Sequence, residues 1–443
     1  MDSAMSDSEN IVNQSEVSLE NWSSLTPEEQ VIVFQKLSYS EADDFFLGLS
    51  ARDQATLIRA LPPSERRLWI RLLPPDDATD LIQETPEEER PGLLHLMDEY
   101  TRREVVALLA YKEDEAGGLM SPRFARLRPD MTVDEAITYL RRQAQQVETI
   151  HYAYALDSEQ RLLGIVPLRR LFSAHRDQTV RDIMRTDFIV ASDEMDQEAL
   201  AKLFSEEHLL AIPVIDKDGK MKGIVTVDDI VNVVAEEASE DIQKIGGMEA
   251  LDTPYLQTTM REMVRKRGGW LAALFIGEMF TATAMSFFQK EIARAVVLAL
   301  FVPLIISSGG NSGSQATSLV IRAMALGEVR LRDWWRVIRR EVTAGLALGC
   351  ILGAIGLMRI IAWQAFADLY GPHYLLVAVT VACSLIGVVL FGTIAGSMLP
   401  FVLYRLGLDP ASASAPFVAT LVDVTGLVIY FTVASMILRG TLL

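Results

Sequence analysis

The sequence predicts a multidomain membrane protein: an all-α superhelical N-domain, an α/β domain of two tandem copies of one unit, and a five-helix transmembrane domain. Three observations predict it. Residues 25–90 repeat with a period of 12. Residues 119–240 carry a second, longer repeat. Five long apolar segments follow. The expected boundaries are 1–20 for a disordered acidic N-terminus, 21–115 for the helical domain, 116–235 for the tandem pair, 236–265 for an acidic connecting helix and 266–443 for the membrane domain.

In the first repeat Leu25, Leu37, Leu49, Leu61 and Leu73 are each followed four residues later by Glu29, Glu41, Asp53, Glu65 or Asp77. Thr-Pro, Ser-Tyr, Ser-Ala and two Pro-Pro pairs lie between them. Ser, Thr and Pro suit helix starts, and an acid in the first turn suits the helix dipole. Helices this short do not stand alone, so they should stack as a solenoid. On this reading the acids are caps and poor metal candidates.

In the second repeat His151–Asp157 and Gly164-Ile165-Val166 recur 59 residues on as Ala211–Asp216 and Gly223-Ile224-Val225. Asp134-Glu135-Ala136 matches Gln197-Glu198-Ala199 at an offset of 63. Each unit reads strand-helix-strand-strand-helix. The link to the membrane begins near Asp228-Asp229 and carries Glu236, Glu237, Glu240 and Asp241 before Gly246-Gly247. Residues 236 and 240, and 237 and 241, are like charges at i,i+4, which repel on a helix. Such a stripe needs counter-charge, and a bridging divalent cation would supply it.

The apolar segments run at about 270–288, 294–326, 337–363, 374–407 and 416–438. Each holds the roughly 20 residues that span a bilayer core. Arg261, Arg265, Lys266 and Arg267 precede the first, and Arg330, Arg332, Arg336, Arg339 and Arg340 fill the second connection. The positive-inside rule then puts the N-terminus in the cytosol and the C-terminus outside. In the second segment Pro303 precedes Ser307-Ser308-Gly309-Gly310-Asn311-Ser312-Gly313-Ser314-Gln315, a run that allows close helix contact or a broken backbone. The fourth holds Gly392, Gly396 and Pro400. In the fifth, Asp423 lies seven residues beyond Pro416. An ionised Asp in a span costs roughly 2.5–3.5 kcal/mol on insertion scales, so intramembrane acids point first to function. Its bland alternative is an Asp that caps a broken helix or bonds a neighbouring hydroxyl, such as Thr420 or Thr425. Glu278 is a second acid, in the first span.

Charge narrows the function. Positions 1–260 hold 26 basic and 50 acidic residues, and the remainder 15 and 9. Nucleic acid, whose phosphates need Lys and Arg, is not an expected partner. The five histidines are scattered and H-E-x-x-H is absent, which argues against a metalloprotease and against an enzyme generally. Cys350 and Cys383 imply neither disulfide nor thiolate site. No basic ring lines the spans, which disfavours an anion pore. The oxygen donors present suit hard cations. Mg²⁺ keeps its waters, and one carboxylate doubled by a two-fold dimer can hold it through them.

The tandem unit resembles a pair of CBS domains. The second unit keeps the nucleotide pattern as Gly223, Thr226 and Asp229, and the first has Pro167 and Arg170 instead. ATP is therefore expected, if anywhere, at Thr226 and Asp229. The whole order resembles the MgtE family of bacterial magnesium channels and transporters. The carrying strings are 301–306, 309–315, 416–426 and Glu115-Ala116-Gly117-Gly118-Leu119-Met120. The resemblance implies a homodimer in the cell inner membrane with a central pore. It implies Asp423 as the pore carboxylate, and Gly309, Gly310, Asn311 and Thr420 as pore-lining. It assigns Asp229, Glu237, Glu240, Asp241 and Asp409 to regulatory Mg²⁺. Ser314 stands where the family often has Asn, and the first span lacks a polar Asn near Glu278. Transport mainly of Co²⁺, Mn²⁺ or Ni²⁺, and a nucleotide-sensing membrane regulator, are the competing readings.

Overall fold

The computed structural model describes residues 22, 25–251, 253, 255–256, 258–367 and 370–442. The N-terminal segment 1–20 lies outside them. The chain divides into two compact units, Met1–Ala235 and Glu236–Leu443.

The first unit opens with α1 (Pro27–Phe34), α2 (Tyr39–Leu47), α3 (Ala51–Ala60), α4 (Pro63–Ile70) and α5 (Pro75–Gln83). Every helix starts 12 residues after the last, as the leucine period requires. Thr26 with Glu29 and Ser38 with Glu41 form capping boxes, and Ser50 caps through Asp53. Pro63 and Pro75 open α4 and α5 instead, fixing φ at the first helical position, where no N–H needs a cap. A turn and the short α6 (Arg90–Leu94) fill the next stride, and α7 (Glu99–Leu108) resumes the phase. Alternate helices pack, α1 on α3, α3 on α5 and α5 on α7. They bury Phe34, Phe46, Leu57, Ile70, Leu81 and Val105 in one continuous core.

After α8 (Ala116–Leu119) come the two α/β repeats. The first comprises β1 (Arg126–Leu127), α9 (Val133–Gln143), β2 (Tyr152–Leu156), β3 (Leu162–Pro167), α10 (Leu168–Ser173) and α11 (Val180–Ile183). The second comprises β4 (Ala191–Ser192), α12 (Gln197–Glu207), β5 (Ala211–Ile215), β6 (Met221–Thr226) and the start of α13 (Val227–Ile245). Each sheet has a parallel pair followed by an antiparallel one. Tyr152 opposes Pro167 as Ala211 opposes Thr226, and both hairpins slip register at one place, Ala155/Leu156 and Val214/Ile215. The offset of 59 therefore holds residue for residue in the hairpins. The helices are capped by Thr132 and Asp196, so the alignment of Asp134 with Gln197 falls one residue short. The hairpins meet at their tips, where Met221 N donates to the Gln160 carbonyl.

In the second unit α13 ends at Ile245, and Gly247 (φ +76°) takes the left-handed turn that stops it. The connecting helix is thus Val227–Ile245, not 236–265. The next helix, α14 (Met260–Phe287), already includes Arg261, Arg265 and Arg267. A capping Thr259 bonded to Glu262 N starts it ahead of the apolar stretch. After α15 (Gln289–Arg294) and a 3-10 turn at Val296–Phe301 come α16 (Val302–Ala325), α17 (Trp334–Ala367), α18 (Tyr374–Arg405) and α19 (Ala415–Leu438). Among the described residues, five helices are long and apolar enough to cross a membrane. Pro303 and Pro416 sit in the first turns of α16 and α19, where a missing N–H costs nothing. The Ser/Gly run of α16 does not break the backbone; it brings helices together. A Cβ on Gly313 would meet Val418 Cγ1 at 2.7 Å and the Gly392 carbonyl at 2.9 Å. Thr317 Oγ1 donates to the Gly313 and Gly396 carbonyls, both at 2.9 Å, tying α16 to α18. Tyr430, Phe431, Val422 and Leu385 fill the core between α16, α18 and α19.

Candidate ion path and regulatory acid clusters

Asp423 lies two turns into α19. Ser414 Oγ caps that helix by accepting from Phe417 N (3.3 Å) and also accepts from Trp270 Nε1 (3.2 Å). The two neighbouring hydroxyls bond elsewhere. Thr420 Oγ1 donates to the Pro416 carbonyl (3.1 Å) and Thr425 Oγ1 to the Leu421 carbonyl (2.7 Å), so neither hydroxyl serves the carboxylate. Among the described residues, the charge acting on Asp423 is another acid, Glu278 of α14. The two helices are close there: a Cβ on Gly277 would meet Thr420 Cγ2 at 2.8 Å. Two carboxylates that approach at membrane depth favour a cation beside them.

The lining residues divide. Gly309 is a packing position, since a Cβ there would strike Val388 and Val422. It is buried in helix contact. Gly310 is buried against Ala419, with room for a methyl at 3.5 Å. Thr420 packs on Gly277. Asn311 is exposed, with Ser307 and Gln315 one turn to either side. This i,i+4,i+8 polar stripe runs along a transmembrane helix. Polar side chains in a span face water or protein, not hydrocarbon. Period counting reaches the stripe; the glycine-rich motif directs the eye to the wrong face.

The first unit holds an acid cluster that sequence reasoning largely misses. Asp76 and Asp77 at the start of α5 approach Glu148, Asp228 and Asp229. Asp76 is 7% exposed, and its Oδ1 has no hydrogen-bond partner among the described residues. Burial and then the charge of Glu148 push its carboxyl well above the usual range. Glu148 is also raised by burial, against the hydrogen bond from Ser121 Oγ (3.2 Å). Burial pushes Asp229 up to about 7, although Thr226 Oγ1 donates to its Oδ2 at 2.8 Å. Thr226 and Asp229 are therefore engaged with each other. Asp77 is both a first-turn acid and a cluster member, so the capping reading covers only half its role. The doubled acid in Pro-Pro-Asp-Asp is the available signal; Glu148 has none.

These raised values have a testable sign. Asp229 keeps its proton near neutral pH in the folded chain, whereas an unfolded Asp loses it near pH 4. The folded state thus binds more protons between those limits, and stability falls as pH rises through that window. With chelator present, the first unit should be more stable at pH 5 than at pH 7.5, by roughly 2.5 kcal/mol from Asp229 alone, and should melt at a higher temperature there. A divalent cation should recover the loss at pH 7.5. A melting temperature flat from pH 5 to 7.5 would refute the strained cluster.

A second cluster lies within the other unit. Asp241 is pushed up by burial, then by Asp409 and Glu237. Lys244 Nζ bridges Asp409 Oδ2 (2.6 Å) and the Glu240 carboxylate. Asp409 also caps the following turn through Ala411 N (2.8 Å). Glu237, Glu240, Asp241 and Asp409 thus come together without Asp229, and with Lys244 an added member. Its i,i+4 spacing after Glu240 is legible. Among the described residues no three His, Cys, Asp or Glu side chains form a ready-made metal cage. Both clusters present charge, as suits an ion that keeps its water shell.

A family model described as a divalent cation transporter matches residues 302–433. An MgtE intracellular N domain model matches 17–114, and CBS domain models match 116–177 and 180–236. The magnesium transporter MgtE of Thermus thermophilus is 39% identical over 422 residues, which is 95% of this chain and 92% of that one. The magnesium transporter MgtE of Bacillus subtilis is 30% identical, covering 91% of this chain and 88% of its own length. A crystal structure of the cytosolic domain of the Mg²⁺ channel MgtE in complex with ATP is 38% identical, with a TM-score of 0.46, over 48% of this chain and 88% of that one.

Proposed function

The chain belongs to the MgtE family of divalent cation transporters, and we propose that it is a homodimeric Mg²⁺ channel which admits hydrated Mg²⁺ to the cytosol and closes when cytosolic Mg²⁺ occupies its acid clusters. It is a multi-pass membrane transporter and not an enzyme. The observation that carries the pore assignment is Asp423 in α19, unpaired by its neighbouring hydroxyls and facing a second acid. Mg²⁺ sheds water reluctantly, so outer-shell contact with a carboxylate is the interaction that suits it. The polar stripe of Ser307, Asn311 and Gln315 supports a second copy of the chain across a wet path. The positive-inside rule supports a cytosolic N-terminus in the cell inner membrane and a C-terminus outside.

Regulation follows from charge. With the cation bound, the acids of each cluster attract one another through it; without it they repel. Linkage then requires Mg²⁺ to bind the closed state better than the open one. In the purified full chain, protection from protease should rise with Mg²⁺ and saturate. Equal cleavage with and without the ion would reject this gating. ATP at Thr226 and Asp229 would enter as its Mg²⁺ complex, because Asp228, Asp229 and Asp77 repel bare phosphates. Selectivity for Mg²⁺ over Co²⁺, Mn²⁺ and Ni²⁺ is tested by flux of each into liposomes.

A further inference from the structure

Lys244 stands where a regulatory cation would. Its ammonium bridges Asp409 Oδ2 at 2.6 Å and the Glu240 carboxylate, and thereby joins α13 to the loop before α19. Asp241 and Glu237 complete the acidic surroundings from α13. Lys244 contacts two of these four carboxylates, and Asp241 is pushed up first by burial and then by Asp409 and Glu237. From α14, Lys266 Nζ faces the same region but donates to the Ala250 carbonyl at 2.6 Å. A cavity of about 400 Å³ adjoins, lined by Glu240, Lys244, Glu249, Lys266, Trp270 and Ser412. It gives a displaced ammonium, on its flexible four-carbon stem, somewhere to go.

We propose that Lys244 is a tethered counter-cation that competes with the divalent ion for Glu240 and Asp409, and so sets the cytosolic concentration at which the protein closes. The proposal rests on the regulatory reading above. An ammonium satisfies charge but not divalency: it neutralises one carboxylate where Mg²⁺ neutralises two. At low Mg²⁺ the lysine keeps the cluster intact and holds the ion's place. At high Mg²⁺ the ion displaces it. The lysine therefore shifts the midpoint of regulation upward without touching the pore.

The test is the Mg²⁺ midpoint for protease protection of the full-length protein, measured for the parent, Lys244→Gln, Lys244→Met and Lys244→Arg. Removing a competing charge at contact distance should lower the midpoint roughly five- to tenfold in the Gln and Met chains, allowing for solvent screening. Arg should keep it within about twofold, because the positive charge remains. Two neutral replacements guard against one that fails to fold. An unchanged or higher midpoint in the neutral variants overturns the proposal, the latter making Lys244 a latch that supports closure. Absence of any Mg²⁺ dependence in the parent chain overturns the regulatory reading itself, and the counter-cation with it.

Discussion

Replacing Asp423 by Ala or Asn should abolish Mg²⁺ uptake into liposomes, with a loss on the order of a hundredfold or more, while the protein stays folded. The two consequences have one cause. An unpaired carboxylate at membrane depth is a burden on stability, so its removal does not weaken the helix bundle. It is also the charged oxygen donor that the middle of α19 presents, so a hydrated dication loses its partner. Asp423→Glu should keep part of the flux, because the charge survives one methylene further out. Uptake by the Ala chain within about twofold of the parent would end the pore assignment. The Asn variant separates charge from shape: if it conducts normally, the carboxylate's hydrogen-bonding outline matters and its charge does not.

The largest structural effect is expected at the crossing of α16 and α18. A Cβ on Gly392 would strike the Gly309 carbonyl, with the Gly309 carbonyl carbon only 3.1 Å away. A Cβ on Gly396 would strike Gly313 in the same way and lie 2.8 Å from Thr317 Oγ1. The obstacles are backbone atoms in regular helices, so relief requires the helices to part. Gly392→Val or Gly396→Val should cost roughly 3 kcal/mol or more and remove the Thr317 tie. Gly268 and Gly269 in α14 are the controls. Nothing lies within 4 Å of a Cβ at either, and Ala there should be neutral or add up to about 1 kcal/mol of helix propensity. Melting of Gly392→Val in detergent within a degree or two of the parent would contradict the close crossing.

Much of this is legible in the sequence because it is periodic. The leucine stride of 12 gives the helix starts at Pro27, Tyr39, Ala51, Pro63 and Pro75 to the residue. The hairpin repeat gives the strand register, since a pleat tolerates no half-step. Hydropathy gives five spans, and their chemistry gives Asp423. The features that stay hidden share a physical type. The start of α14 escapes hydropathy because a capped, basic first turn is helical without being apolar. Gly309 reads as lining because small residues serve close packing and wet surfaces alike, and only a neighbour's position distinguishes them. Glu148 joins Asp76 and Asp229 through tertiary approach, which no local pattern encodes. Lys244 is within reach of an i,i+4 count, but its bond to Asp409 spans 165 residues.

The stride of the N-terminal helices has a mechanical consequence. Helices α1, α3, α5 and α7 each touch mainly the one two places along, so order is passed along the stack like links in a chain. Loosening at the α1 end can stop within a few links and leave Asp76, near the other end, in place. Because packing alternates, excision of two links from the middle would shorten the stack and leave each later helix in its own kind of seat, whereas loss of a single link would put every later helix in the seat of its neighbour.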